Sequence, residues 1–277
     1  MEQYGLLGFP LLYSLSPPMH RAAFQAIGRQ ATYSLWPVEA ADLGRRLAEL
    51  RQAAAVRGFN VTVPHKEAVL TKIDELAPAA EAIGAVNTVR KVGSKLIGDN
   101  TDARGFIASL QETGVSASGA RALVLGAGGA ARAVCYGLLK VGVEEIYLLN
   151  RTRARAEALI ASLADQRIRL VDAPSTLEVL STLDLVVNAT SCQEPWLAFG
   201  LAAEVVWPLG QGLAVDLAYG DMLGAYLSTA AASGWQTLSG EGMLLHQAAA
   251  AFELWTGQPA PVSAMRIALR KALVSND

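Results

Sequence analysis

The sequence predicts an α/β protein of two α/β domains, an N-terminal one with a mainly parallel sheet and a second, Rossmann-type one. Three observations predict it. Short β-rich runs alternate with helical stretches along most of the chain, the pattern of parallel sheets joined by crossover helices. The alternation restarts at Arg121, after two turns rich in Gly, Asn and Asp. A glycine-rich turn at Gly126–Gly129 then joins an expected strand to an expected helix. The domain boundary is expected near Thr101–Asp102.

In the first half, strands are expected near Gln3–Gly8, Thr32–Val38, Gly58–Thr62, Val86–Lys91 and Lys95–Gly98. A helix is expected over Pro17–Ile27, where proline suits the first turn. Another is expected over Ala40–Ala54, where apolar residues recur at helical spacing on an Arg/Glu surface. In the second half, Ala120–Leu125 is apolar apart from Arg121, as suits a strand covered on both faces. Helices at Ala130–Val141 and Thr152–Leu163 are expected to alternate with strands at Glu145–Asn150, Arg167–Val171, Leu185–Asn188 and Leu213–Asp216. Helices over Glu241–Trp255 and Pro261–Val274 close the chain, with Gly257-Gln258-Pro259 as the stop between them.

The 277 residues are 52% hydrophobic and 17% charged, so a large core can be buried. A net charge of -2 supplies no basic face for nucleic acid. The N-terminus has no basic leader, and no apolar run reaches the ~18–20 residues of a membrane span, so a soluble, cytoplasmic protein is expected. Cys135 and Cys192 make no disulfide framework, and with three scattered histidines they make no zinc site, so no metal is expected.

Three groups of residues carry chemistry. In Gly126-Ala127-Gly128-Gly129-Ala130-Ala131, Gly126 permits the tight turn, Gly128 lets backbone approach a pyrophosphate, and Ala131 is the third small position. The helix N-terminus behind it offers N–H groups to phosphates. At the end of the next strand, Asn150-Arg151-Thr152-Arg153-Ala154-Arg155 has no acid to hold a ribose 2′-hydroxyl. Arg151 and Arg155, one helical turn apart, suit a 2′-phosphate, which points to NADP rather than NAD. Cations at a helix N-terminus also oppose its dipole, a cost that an anion relieves. The third group lies in the first half: Ser14 and Ser16, the 60–66 run with Thr62, His65 and Lys66, then Asn87, and Asn100-Thr101-Asp102. Each follows or ends an expected strand, where open α/β sheets place ligand groups. Each also has a plainer role available: the serines, Thr101 or Asp102 as helix caps, and Lys66 as a surface lysine. His65 is expected to point away from Lys66 along an extended chain. His20 and Cys135 are expected to pack in the interior, His246 to lie beside Gln247, and Cys192 is assigned no chemistry.

Together these stretches resemble shikimate dehydrogenases over nearly the whole chain: Ser-Leu-Ser-Pro-x-x-His at 14–20, Asn-Val-Thr-Val-Pro-His-Lys at 60–66, Gly-Ala-Val-Asn-Thr at 84–88 and Asn-Thr-Asp at 100–102. The glycine loop at 126–131, Asn-Arg-Thr at 150–152, Asn-Ala-Thr-Ser at 188–191, Asp-Leu-Ala-Tyr at 216–219 and the Gly240–Gly257 segment continue the likeness. The resemblance implies a substrate domain over 1–101, with helices of 241–277 packing back on it, an NADP domain over 102–240, and a closable cleft for substrate. It implies that Lys66 and Asp102 are the catalytic pair. Ser14 and Ser16 would bind the substrate carboxylate with Tyr219 nearby, and Thr62, Lys66, Asn87, Asp102 and Gln247 its hydroxyls. Cofactor contacts fall on Gly126, Ala127, Gly128, Gly129, Ala130, Ala131, Asn150, Arg151, Thr152, Arg155, Thr190 and Gly240. The implied activity is reversible, NADPH-dependent reduction of 3-dehydroshikimate to shikimate, on the route to chorismate and the aromatic amino acids. A quinate/shikimate dehydrogenase using NAD and a non-catalytic dinucleotide sensor stand as alternatives, and monomer and homodimer are both open. Arg21 and Ala103 depart from the family's usual asparagine and glycine, without replacing a catalytic group.

Overall fold

The computed structural model describes residues 1–11, 14–201, 207–210 and 212–274, apart from the side chains of Pro174, Leu177 and Asp221. The chain forms two compact units, Met1–Gly105 with Leu245–Asp277, and Phe106–Leu244.

Unit 1 is built from β1 (Glu2–Gly8), α1 (Ser16–Ala26), β2 (Ala31–Pro37), α2 (Leu43–Gln52), β3 (Val56–Val61), α3 (His65–Ala68), β4 (Glu75–Leu76), α4 (Pro78–Ile83), β5 (Thr88–Val92), β6 (Lys95–Asp99) and the start of α5 (Asp102–Glu112). Its six strands run in the order β2-β1-β3-β5-β6-β4. The β1/β2, β1/β3 and β4/β6 pairings are parallel, while β5 is antiparallel to both its neighbours. Successive β1 side chains face opposite sides and find different cores. Leu7 packs among Leu43, Leu47 and Leu50 of α2. Tyr4 stacks on Phe24 of α1 at 4.7 Å and meets Trp255, near the end of the penultimate helix, at 5.1 Å.

Unit 2 carries β7 (Arg121–Leu125), α6 (Gly129–Lys140), β8 (Glu145–Leu149), α7 (Arg153–Leu163), β9 (Ile168–Leu170), α8 (Ala173–Val179), β10 (Leu185–Asn188), α9 (Pro195–Ala198), β11 (Leu213–Asp216), α10 (Ala225–Ala232) and β12 (Gln236–Ser239). The chain ends in α11 (Glu241–Thr256) and α12 (Val262–Val274), and it passes between the units within α5 and again within α11. The second sheet is wholly parallel, in the order β12-β11-β10-β7-β8-β9. That is the doubly wound order, with its switch point between β7 and β10. On β7, Ala122 and Val124 join one buried cluster and Leu123 and Leu125 the other, so both faces of the sheet are covered. A strand buried on both faces has no place for charge along its interior.

The expected strands and long helices all form, with ends shifted by at most three residues. The helix expected over Ala40–Ala54 opens as a 3-10 turn at Ala40–Asp42 before α2, and the helix expected from Thr152 begins at Arg153. For α5 only a cap at Thr101 or Asp102 was expected, with no range, and β4, α3, α4, α8, α9, α10 and β12 were not expected. Each of these seven has eight residues or fewer, too short for periodicity to declare itself.

Candidate active site

The groups of unit 1 expected to react gather where β3 and β6 end and the antiparallel β5 begins. Thr62 follows β3, and its main-chain N–H donates to the Leu7 carbonyl at 2.8 Å. The single turn of α3 then presents Lys66, whose carbonyl accepts the Val86 N–H at 2.8 Å. Asp102 is the first residue of α5, where the helix dipole favours a negative charge. Lys66 Nζ donates to Asp102 Oδ2 at 2.6 Å, with the lysine side chain 20% exposed and the aspartate 6%. The other carboxylate oxygen, Oδ1, accepts from Asn87 Nδ2 at 2.7 Å.

Asn87 organises this corner. Its Nδ2 also donates to Thr101 Oγ1 at 2.9 Å, its Oδ1 accepts the Thr101 N–H at 2.8 Å, and Gln247 Oε1 on α11 lies 3.5 Å from the same Nδ2. Behind it, Asn60 Nδ2 donates to the Asn87 carbonyl at 3.2 Å and to Thr88 Oγ1 at 3.0 Å, while Tyr33 donates its phenol to Asn60 Oδ1 at 2.8 Å. Asn100 Oδ1 accepts the Asp102 N–H at 3.0 Å. Every polar group in this buried set has a partner, as low dielectric demands. Ser14 and Ser16 sit together at the start of α1, with the Ser16 N–H donating to Ser14 Oγ at 3.2 Å.

The structure thus brings Lys66, Asp102, Asn87 and Gln247 into contact in unit 1. Tyr219 belongs to unit 2, in the loop after β11. His65 lies in the α3 turn rather than in extended chain; it is buried, and its Nε2 donates to the Val38 carbonyl at 2.6 Å. His20 is fully buried and stacks on Tyr33 at 4.3 Å. Burial drives its pKa down to about 3, which the Asn60 side chain offsets only in part. Burial pushes the Cys135 thiol up to about 12, consistent with a core residue.

In unit 2, Gly126 leaves β7 with φ +108, a conformation that side chains disfavour, and a Cβ there would lie 3.1 Å from the Ala189 carbonyl and Thr190 Cγ2. Gly128 is the N-cap of α6 and makes no side-chain cap, so the first-turn N–H groups face outward, with open space where a Cβ would be. Ala131 is buried against the sheet. This arrangement lies at the switch point, and it fits a pyrophosphate. Thr190, at the end of the neighbouring strand, donates its hydroxyl to Asn188 Oδ1 at 2.7 Å. A cavity of about 310 Å³ opens beyond β8, with Asn150, Arg151, Arg153 and Asp172 among its polar lining and Leu149, Leu170 and Phe199 among its apolar walls. Arg155 is not among its lining residues. Two arginines and no acid at the end of β8 form a donor set suited to a 2′-phosphate.

The sequence reading gave no role to Asp216. It is buried at the end of β11, and its Oδ1 accepts from Asn188 Nδ2 at 3.1 Å and from the Ala218 N–H at 3.0 Å. Burial raises its pKa above the ordinary aspartate value. Through these bonds it fixes the loops that carry Thr190 and Tyr219. Its signals in sequence were an acid closing an otherwise apolar strand and its place in the Asp-Leu-Ala-Tyr stretch at 216–219.

Comparison with known proteins agrees with this division. Residues 6–89 match the family model of the shikimate dehydrogenase substrate binding domain, residues 109–220 that of shikimate / quinate 5-dehydrogenase, and residues 240–270 that of the shikimate 5′-dehydrogenase C-terminal domain. A shikimate dehydrogenase (NADP(+)) of Moorella thermoacetica is 43% identical, over 97% of this chain and 92% of its own. Its counterpart in Thermus thermophilus is 42% identical over 99% of both chains. The crystal structure of the Thermus thermophilus enzyme in complex with NADP(H) and shikimate superposes with a TM-score of 0.86, covering 98% of this chain and 100% of that one at 40% identity. With ordered motifs, a doubly wound second sheet and near full-length identity in accord, the chain belongs to the shikimate dehydrogenase family.

Proposed function

We propose that the chain catalyses the reversible, NADPH-dependent reduction of 3-dehydroshikimate to shikimate, on the route to chorismate and the aromatic amino acids. Unit 1 binds the substrate and unit 2 binds NADP. The observation that carries this reading is the 2.6 Å contact between Lys66 Nζ and Asp102 Oδ2, locked from behind by Asn87 and open to solvent on the lysine side.

When bound, the cofactor supplies the hydride in one direction and accepts it in the other. The chain's own residues handle the proton on the ring oxygen. Lys66 hydrogen-bonds that oxygen as negative charge develops on it, and the proton passes between the oxygen and the Lys66–Asp102 pair. Because Asn87 and Lys66 hold both carboxylate oxygens of Asp102, the pair needs little reorganisation during the reaction. Ser14 and Ser16 offer hydroxyls to the substrate carboxylate, and Thr62, Asn87 and Gln247 serve its ring hydroxyls. The first turn of α6, Thr190 and Gly240 serve the cofactor, with Asn150, Arg151, Thr152 and Arg155 at its adenosine end.

Among the described residues no helix is long and apolar enough to cross a membrane, and neither cysteine is paired. The reading places the reaction in the cytoplasm, where cysteines stay reduced.

Steady-state kinetics of Lys66→Ala test the catalytic assignment. A folded variant is expected to lose about 10²–10⁴ in turnover number, the range for a positioned acid–base group, with a much smaller change in the Michaelis constant for shikimate. Turnover at the wild-type level in a folded Lys66→Ala protein would overturn the assignment.

A further inference from the structure

We propose that Asp216 is a positioning residue for both the cofactor and the substrate, acting through its Oδ1 alone as an uncharged acceptor would. The assignment rests on the reading above, which gives Thr190 to the cofactor and Tyr219 to the substrate carboxylate. Asn188 and Asp216 close the parallel strands β10 and β11 at the same register position, so their side chains lie side by side on one face of the sheet. Both are buried. Asn188 spends every polar atom of its side chain on this junction. Its Oδ1 accepts the Thr190 N–H at 3.1 Å and the Thr190 hydroxyl at 2.7 Å, while its Nδ2 donates to the Cys192 carbonyl at 3.2 Å and to Asp216 Oδ1 at 3.1 Å.

The second donor to Asp216 Oδ1 is the Ala218 N–H at 3.0 Å, and the Ala218 carbonyl in turn accepts the Gly240 N–H at 2.9 Å. One oxygen thus ties the loop of Thr190 to the loop that leads into Tyr219. The other oxygen does nothing comparable. Asp216 Oδ2 is buried and has no hydrogen-bond partner among the described residues. Tyr226, whose phenol feels the charge of Asp216, donates to the Val186 carbonyl at 3.1 Å instead. Burial raises the Asp216 pKa, as befits a carboxyl with one oxygen unserved in a dry place. The junction therefore uses Asp216 as an acceptor held at one point, and the charge adds only a desolvation cost. An amide oxygen in the same place would do the same work.

Two substitutions separate acceptor from charge. Asp216→Asn keeps an oxygen at the Oδ1 position and removes the charge. Asp216→Ala removes both, with Asp216→Val to fill the space if the alanine variant does not fold by circular dichroism. Calorimetric titration of the intact protein with NADP reads the Thr190 loop without turnover, and the Michaelis constant for shikimate at saturating NADP reads the Tyr219 loop. Asp216→Asn is expected to stay within about twofold of the wild type in both. Asp216→Ala is expected to weaken NADP and raise the Michaelis constant for shikimate about fivefold each, with a smaller change in turnover number. Wild-type values in a folded Asp216→Ala or Asp216→Val protein, or an Asp216→Asn protein impaired fivefold in either readout, overturn the assignment while the shikimate and NADP reading stands. A wild-type Michaelis constant in Tyr219→Phe overturns the placement of Tyr219 and the substrate half of the assignment. A wild type that neither binds NADP nor oxidises shikimate overturns the reading and the assignment together.

Discussion

Asn60, Asn87, Thr88, Thr101 and Asp102 are all nearly closed to water, and a buried polar group without a partner costs roughly 1–3 kcal/mol. Their bonds to one another and to Tyr33 remove that cost and fix Asp102 in one orientation. His20, packed against Tyr33, has only the partial help of the Asn60 side chain for a charge. Its folded pKa of about 3 lies below the ordinary 6.5, so between these values the unfolded chain binds a proton that the folded chain refuses. The stability due to neutral His20 is present above pH 6.5 and is lost as pH falls toward 3. Urea unfolding from pH 6 to 4.5 should show a slope steeper by up to about 1.4 kcal/mol per pH unit in the wild type than in His20→Leu. Equal slopes would mean that His20 titrates normally. Lys66 and Asp102 were legible in sequence because motifs flank both. The Tyr33–Asn60 bond was not, because it joins residues on strands either side of β1, and only the β1 register places them on one face. His65 was read as structural or peripheral on an extended chain; it is structural, but a single turn of helix, invisible to periodicity, sets its direction and buries it.

Among the elements, most long periodic helices and the apolar strands were legible, while α5 was seen only through its cap and α10 not at all. The short ones exist because the sheets need them: β12 pairs with β11 at one edge, and β4 with β6 at the other sheet's edge. The junction of β12 and α11 shows how tightly such an edge can be set. The Gly240 N–H donates to the Ala218 carbonyl at 2.9 Å, and a Cβ at Gly240 would run into the Leu217 carbonyl, a backbone atom that cannot swing aside. Gly240→Ala is expected to destabilise unit 2 by about 1–3 kcal/mol, the usual cost of overpacking, and to weaken NADP binding because the displaced loop is tied to Asp216. Thermal unfolding and NADP titration measure the two effects; an unchanged melting temperature would show that the junction yields freely.

For the whole molecule, the sequence showed the two-part α/β design through the restart of its alternation, and the doubly wound order of the second sheet follows from that alternation with right-handed crossovers. The antiparallel β5 of the first sheet went unread, although the two-residue Gly93-Ser94 turn between it and β6 can join only antiparallel strands. On the proposed reading, each unit supplies one half of a dehydrogenase chemistry: the Lys66–Asp102 pair in unit 1, and in unit 2 the glycine turn with an arginine-lined cavity. The central claim is that these halves serve shikimate and NADP. The most direct measurement is absorbance at the reduced-nicotinamide band with purified protein, offering shikimate or quinate with NADP or NAD in all four pairings. Rapid reduction with shikimate and NADP, far above the other three, is the expected result; a preference for quinate or for NAD, or no reduction by folded protein that binds NADP, would contradict it.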